Sequence, residues 1–184
     1  MSNDEIWEEL REKLPWHKTE EERQLRIQQW KGMDVNGNGY LSLAEIDKGM
    51  RDVIQLPQLF EAKPVLMRAF MAAKRKVVSK SQYGDDYVTK GEYRWLLQYM
   101  RMYFEYWVAF DAIDTDDDRR IGMDEFAQGV EQMSKWGIDM SDPAAQWAAC
   151  DSNGGGKILF DEFCEWAINK SLDLEDDDDD DLEE

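Results

Sequence analysis

Asp34, Asn36, Asn38, Ser42 and Glu45 carry side-chain oxygens at positions one, three, five, nine and twelve of the stretch D-V-N-G-N-G-Y-L-S-L-A-E. Gly39 is at position six. This is the spacing of the EF-hand calcium loop. Calcium takes about six to eight hard oxygen ligands, and alternate residues of a tight loop can point inward at one ion. Gly39 permits the sharp turn because glycine has no Cβ penalty at positive φ. Tyr40, at position seven, offers its backbone carbonyl, and Glu45 closes the site with both carboxylate oxygens. Leu41 is the apolar pin that faces a partner loop. A surface turn rich in Asp, Asn and Gly can fill such a pattern once by chance, so repetition decides.

The pattern recurs. Asp114, Asp116, Asp118, the carbonyl of Arg120 and Glu125 fill the ligand positions of D-T-D-D-D-R-R-I-G-M-D-E, with Ile121 as pin. Asp151, Asn153, the carbonyl of Lys157 and Glu162 do so in D-S-N-G-G-G-K-I-L-F-D-E, with Gly156 at the turn and Ile158 as pin. That loop has Gly155 at position five and Leu159 at position nine, so it should bind more weakly. In the third loop Arg119 stands where glycine belongs, and a left-handed conformation there costs roughly 1–2 kcal/mol. The stretch from Ser81 to Glu92 keeps only the frame: Val88 as pin, Thr89 and Glu92, with Tyr83 at a ligand position and Asp86 at the turn. No calcium is expected there; the loop should survive as structural partner to the first. The apolar flanks repeat as well. Trp30 and Met33, Phe110 and Ile113, Trp147 and Cys150 stand four and one residues before each first Asp. Ile46, Tyr93, Phe126 and Phe163 follow each final Glu. Accidental turns would not share core positions.

These loops need helices on both sides. The expected fold is all-α: four EF-hand helix–loop–helix units in two pairs, with short β-bridges between paired loops. Residues 1–100 should form the N-terminal pair, 101–170 the C-terminal pair, and 171–184 a disordered acidic tail. Ser2 and Glu5 form a capping box for a first helix with Ile6, Leu10 and Leu14 on one face, ended by Pro15. Thr19 caps the next, with Ile27, Trp30 and Met33 inward. An outgoing helix should run over 43–54, and Pro64 should open another over 65–78. Tyr93 to Ile113 holds eight aromatic residues and neither Gly nor Pro. It reads as one long helix or two with a kink, and as core in preference to a partner-binding face. Gly137 should stop the third outgoing helix, and Asp142-Pro143 should start the next.

Composition narrows the function. The chain of 184 residues has 22 basic and 41 acidic side chains, a formal charge of −19. Nucleic acid and anionic membranes need basic patches and are not expected as direct partners. No apolar run approaches the about 20 residues of a membrane span. The Met1-Ser2 start is neither a signal peptide nor the Met-Gly start of N-terminal lipidation, so neither is expected. Cys150 and Cys164 read as free thiols of a reducing cytosol. His17 is the only histidine, so no His-based catalytic or zinc set can be assembled, and no carboxylate stands apart as an acid catalyst. From Asp173 onward ten of twelve residues are acidic; without them 22 basic and 31 acidic residues remain, a charge of −9. Such a run reads as a solvated tail.

Several segments between the loops carry a family resemblance: Pro15, Lys18-Thr19, Arg68-Ala69-Phe70, Asp86-Tyr87-Val88, Phe110-Asp111-Ala112-Ile113-Asp114, Trp136-Gly137, Asp142-Pro143-Ala144-Ala145, Phe160-Asp161-Glu162-Phe163 and Trp166-Ala167. Over residues 6–168 the chain resembles the calflagins, flagellar calcium-binding proteins of protists. The resemblance implies a calcium sensor or buffer of the cilium or flagellum; with the residue types above, the expectation is a cytoplasmic protein that is not an enzyme, with Ca2+ as its ion and Mg2+ as competitor. Three roles stay open: a sensor acting through a protein partner, a buffer, and a structural axonemal subunit.

Overall fold

The computed structural model describes residues 3–76 and 86–172. Ser2 of the expected capping box, Ser81 and Tyr83 of the second loop, Val77 and Val78, and the acidic tail from Asp173 lie outside the described residues. The described chain is mostly helical with two small antiparallel strand pairs, as the loop–helix periodicity leads one to expect. Residues up to Phe104 form one compact unit and those from Glu105 a second.

The first unit begins with α1 (Asn3–Lys13) and α2 (Glu20–Met33). Trp7, Leu10 and Leu14 are the buried residues of the first segment, so the apolar face is centred on Trp7 and Ile6 lies at its edge. Thr19 caps α2 by accepting from the Glu22 amide. Trp30 and Met33 point inward, but Ile27 is 37 % exposed and does not join the core. Strand β1 (Tyr40–Ser42) leads into α3 (Leu43–Gly49), and Ser42 and Glu45 form a reciprocal capping box. The outgoing helix does not stay α-helical to residue 54. It widens into a π-helical turn over Met50–Ile54, ended by Gln55 at φ 59°. A short α4 (Pro57–Glu61) that the sequence did not suggest follows. Then α5 (Lys63–Lys76) carries Pro64 in its first turn, where its missing N–H has no helical partner to lose.

Strand β2 (Tyr87–Thr89) pairs with β1, setting Leu41 opposite Val88, both fully buried. Next comes α6 (Lys90–Ile113), one unbroken helix of 24 residues. Of its aromatic residues Tyr93, Tyr103, Phe104, Tyr106 and Phe110 are buried and Trp95, Tyr99 and Trp107 half-buried. That favours the core reading of this stretch. In the first unit Tyr93 meets Trp30 edge-on at 5.5 Å and its hydroxyl donates to Gln29 Oε1 at 3.1 Å.

In the second unit β3 (Ile121–Gly122) pairs with β4 (Lys157–Ile158), placing the pins Ile121 and Ile158 opposite each other. The outgoing helix of the third hand is α7 (Met123–Gln128) and α8 (Val130–Lys135), broken at Gly129. A Cβ on Gly129 would lie 2.4 Å from Ile113 Cδ1, so a larger residue there would have to displace the end of the Ile113 side chain. Gly137, at φ 82°, ends the segment. Asp142 caps α9 (Pro143–Cys150), and α10 (Phe160–Asn169) completes the unit. Phe110, Phe160 and Phe163 pack edge-on at 5.6 Å around the core. Cys150 and Cys164 are buried and outside any disulfide. Among the described residues no helix is long and apolar enough to cross a membrane.

Candidate metal centres

Each of the three fuller loops starts the same way. The first Asp closes the last turn of an incoming helix: the Asp34, Asp114 and Asp151 amides donate to the carbonyls of Trp30, Phe110 and Trp147 at 2.8–2.9 Å. The aspartate side chain then receives amides from across the loop. Asp34 accepts from Asn38 and Gly39, and Asp151 from Gly155 and Gly156, at 2.9–3.0 Å. These bonds curl the loop and aim the carboxylates at its centre. The required backbone is left-handed at two points, Gly37 and Gly39 in the first loop and Gly154 and Gly156 in the fourth. The third loop makes the same turns with Asp117 (φ 57°) and Arg119 (φ 65°). Arg119 thus takes the strained conformation its position demands; the second strained residue, Asp117, was not foreseen. Aspartate tolerates this region better than most residues.

The final Glu of each loop is held alike. Ser42, Gly122 and Leu159 donate their amides to Oε2 of Glu45, Glu125 and Glu162 at 2.7–3.0 Å. Oε1 faces the loop. It accepts from Asn36 Nδ2 in the first, from the Thr115 and Asp116 amides in the third, and from the Asn153 amide in the fourth. Burial raises the Glu125 carboxyl, but the amides of Gly122, Asp116 and Thr115 outweigh it and hold the group below its ordinary value.

The third loop fits a cation best. Asp114, Asp116 and Asp118 each bring an oxygen within 4.8 Å of the others. Asp114 Oδ2 accepts from the Arg119 amide at 2.8 Å, while Oδ1 is buried with no hydrogen-bond partner. An orphaned carboxylate oxygen at the mouth of an acidic ring is where a divalent ion would bind. Burial raises the Asp114 carboxyl, the Arg119 amide offsets part of that, and the charges of Glu125 and Asp118 add to it. A cation would relieve this crowding.

The first loop brings Asp34, Asn36, Asn38 and Glu45 to one place, with Tyr40 at the start of β1. Asn36 Oδ1 accepts the Asn38 amide and Asn38 Oδ1 the Tyr40 amide. The Ser42 hydroxyl donates to Glu45 Oε2 at 2.8 Å, so position nine serves to orient the glutamate. The Trp30 indole donates to Asp34 Oδ2 at 3.3 Å, a link between loop and core with no sequence signal.

The fourth loop is poorer. A Cβ on Gly155 would fall 2.5 Å from Asn153 Oδ1, so Asn153 must swing aside before a Gly155→Asp carboxylate could reach an ion. Leu159 is 43 % exposed and contributes no ligand oxygen from its side chain. Lys157 has a second role that ligand counting missed. It pairs with Gly122 across β3–β4, and its Nζ lies 3.5 Å from Asp118 Oδ2. This ammonium competes with any ion for Asp118. Both groups are well exposed, so the pair is worth about 0.2–1 kcal/mol. Lys157→Met should therefore tighten calcium binding at the third loop by about fivefold at most. A residue-resolved calcium titration followed at the Ile121 amide checks this, since the Lys157 carbonyl of the fourth loop is unchanged.

The model of the FCaBP EF-hand domain matches residues 10–100. The chain is 35 % identical over 177 residues to a flagellar calcium-binding protein of Trypanosoma cruzi, covering 94 % of this chain and 83 % of that protein. It is 33 % identical over 178 residues to flagellar calcium-binding protein TB-17 of Trypanosoma brucei brucei, covering 95 % and 76 %.

Proposed function

The chain belongs to the family of flagellar calcium-binding EF-hand proteins, and from that premise we propose that it is a calcium sensor of the flagellum or cilium, acting through a protein partner. The observation that carries calcium binding is the third loop, with three carboxylates converging and one buried Asp114 oxygen unpartnered. Asp114, Asp116, Asp118, the Arg120 carbonyl and Glu125 are its proposed ligands. Asp34, Asn36, Asn38, the Tyr40 carbonyl and Glu45 form the second strong site, and Asp151, Asn153, the Lys157 carbonyl and Glu162 a weak third. With two carboxylates the first loop should work in the sensor range of about 10⁻⁷–10⁻⁵ M. Magnesium, which demands a tighter octahedral shell, competes at the carboxylate-rich third loop.

The sensor reading is favoured by one feature of the first unit. A groove of about 390 Å³ lies between α2 and the start of α6, with Trp30 and Tyr93 in its lining. Arg23, Arg26, Lys31, Lys90 and Arg94 also line it, a basic concentration in a strongly acidic chain. Trp30 connects it to Asp34. An ion that claims Asp34 therefore acts on the groove lining, and an acidic segment of a partner suits its charge. The test is fluorescence of an apolar dye with calcium and with chelator. An increase with calcium is expected. No change at full site occupancy makes the protein a buffer.

A further inference from the structure

In the second hand Glu92 is bound like its three counterparts, but with a different partner on one oxygen. The Thr89 amide donates to Glu92 Oε2 at 2.7 Å, as the position-nine amides of the other loops do. The Thr89 hydroxyl adds a bond at 2.9 Å. Oε1, which in the other loops faces backbone or side-chain amides of its own loop, here receives Lys74 Nζ at 2.8 Å. The two side chains are only 6 % and 2 % exposed. Lys74 lies on α5, the incoming helix of this hand, and Glu92 in the first turn of α6, the outgoing one. The pair thus ties the two helices at the point where a loop-bound ion ties them in an ordinary EF-hand.

We propose that Lys74 is the built-in cation of the second hand: its ammonium holds Glu92, keeps α5 and α6 in the ion-loaded arrangement without calcium, and through β2–β1 pre-shapes the first loop. A buried ammonium beside Glu92 also repels a divalent ion, so the second hand is closed to calcium by charge as well as by its ligand set. A covalently tethered cation is always present, whereas calcium comes and goes. Calcium-driven rearrangement in the first unit is then confined to α2 and α3. Leu41 opposite Val88 is the mechanical link, since both are fully buried in the bridge between the loops. Only the effect on the first loop rests on the reading of that loop as a calcium site; the state of Glu92 does not.

The experiment is carbon-13 NMR of the Glu side-chain carboxyls in the full chain, titrated with calcium from chelator. In the parent, the Glu45 and Glu125 resonances should move and that of Glu92 should stay. A Glu92 resonance that moves with calcium as Glu45 does overturns the proposal. In Lys74→Met, calcium affinity read at Glu45 should fall about tenfold, as expected for coupled neighbours. The affinity read at Glu125 should hold. A folded Lys74→Met protein with unchanged Glu45 affinity would overturn the coupling. If that variant does not fold, the parent titration alone decides the role of Lys74 at Glu92. A silent Glu45 in the parent refutes the first-loop site, while a Glu92 resonance shifted by Lys74→Met in chelator still reports the ammonium.

Discussion

Glu45→Gln should lose calcium binding at the first loop by about a hundredfold or more, equivalent to about 2.7 kcal/mol. The substitution is nearly isosteric. Its carbonyl oxygen can still accept from the Ser42 amide, which now donates to Glu45 Oε2 at 2.9 Å. Its amino group then replaces the second ligand oxygen with a donor that points N–H at the ion. Half of the bidentate ligation and one of the two ligand charges disappear together. The cost to the fold is the bond from Asn36 Nδ2 to Glu45 Oε1, about 0.5–1.5 kcal/mol at most, so the protein should remain folded. Residue-resolved titration at the Leu41 amide reads the loss. An unchanged affinity there would remove Glu45 from the site.

The largest gain should come from Arg119→Gly. Arg119 sits at φ 65°, where the first and fourth loops place Gly39 and Gly156 at 85° and 75°. Its conformation costs roughly 1–2 kcal/mol that glycine does not incur. The gain appears as affinity to the extent that the loop without its ion relaxes out of the turn. About tenfold tighter binding at the third loop is expected, corresponding to ~1.4 kcal/mol. Removing the Arg119 charge adds little, because that side chain is exposed and screened. Calorimetry beside the parent measures it. Asp117→Gly should gain less, since aspartate tolerates the left-handed region.

The loop frames were legible because EF-hand spacing is local. Asp34 to Glu45 specifies its own curl, and pins such as Leu41 and Ile121 then pair across each bridge. Caps and breaks read equally well at Thr19, Pro64 and Gly137, where one residue decides the backbone. What escaped depends on contacts between distant residues. The π-helical turn over Met50–Ile54 carries no local signal; Gly49 just before it lies close to α2, where a Cβ would meet the Met33 side chain at 2.6 Å. Gly129, where the third outgoing helix breaks, lies similarly close to the Ile113 side chain. Ile27 fits the apolar spacing of α2 yet stays partly exposed, because periodicity shows a face without showing what covers it. Lys74 stands eighteen residues before Glu92 on another helix, and no spacing rule joins them. Lys157 was counted for its carbonyl, while its side chain reaches the neighbouring loop.

Calcium should bind tightly at the first and third loops, weakly at the fourth, and not at the second. Calorimetric calcium titration of the parent and of the Glu45→Gln/Glu125→Gln double variant tests it most directly. The parent should show two tight sites and one weak one, and the double variant only the weak one. Tight binding that survives in the double variant, or a parent that takes up no calcium at about millimolar concentration, would overturn these site assignments.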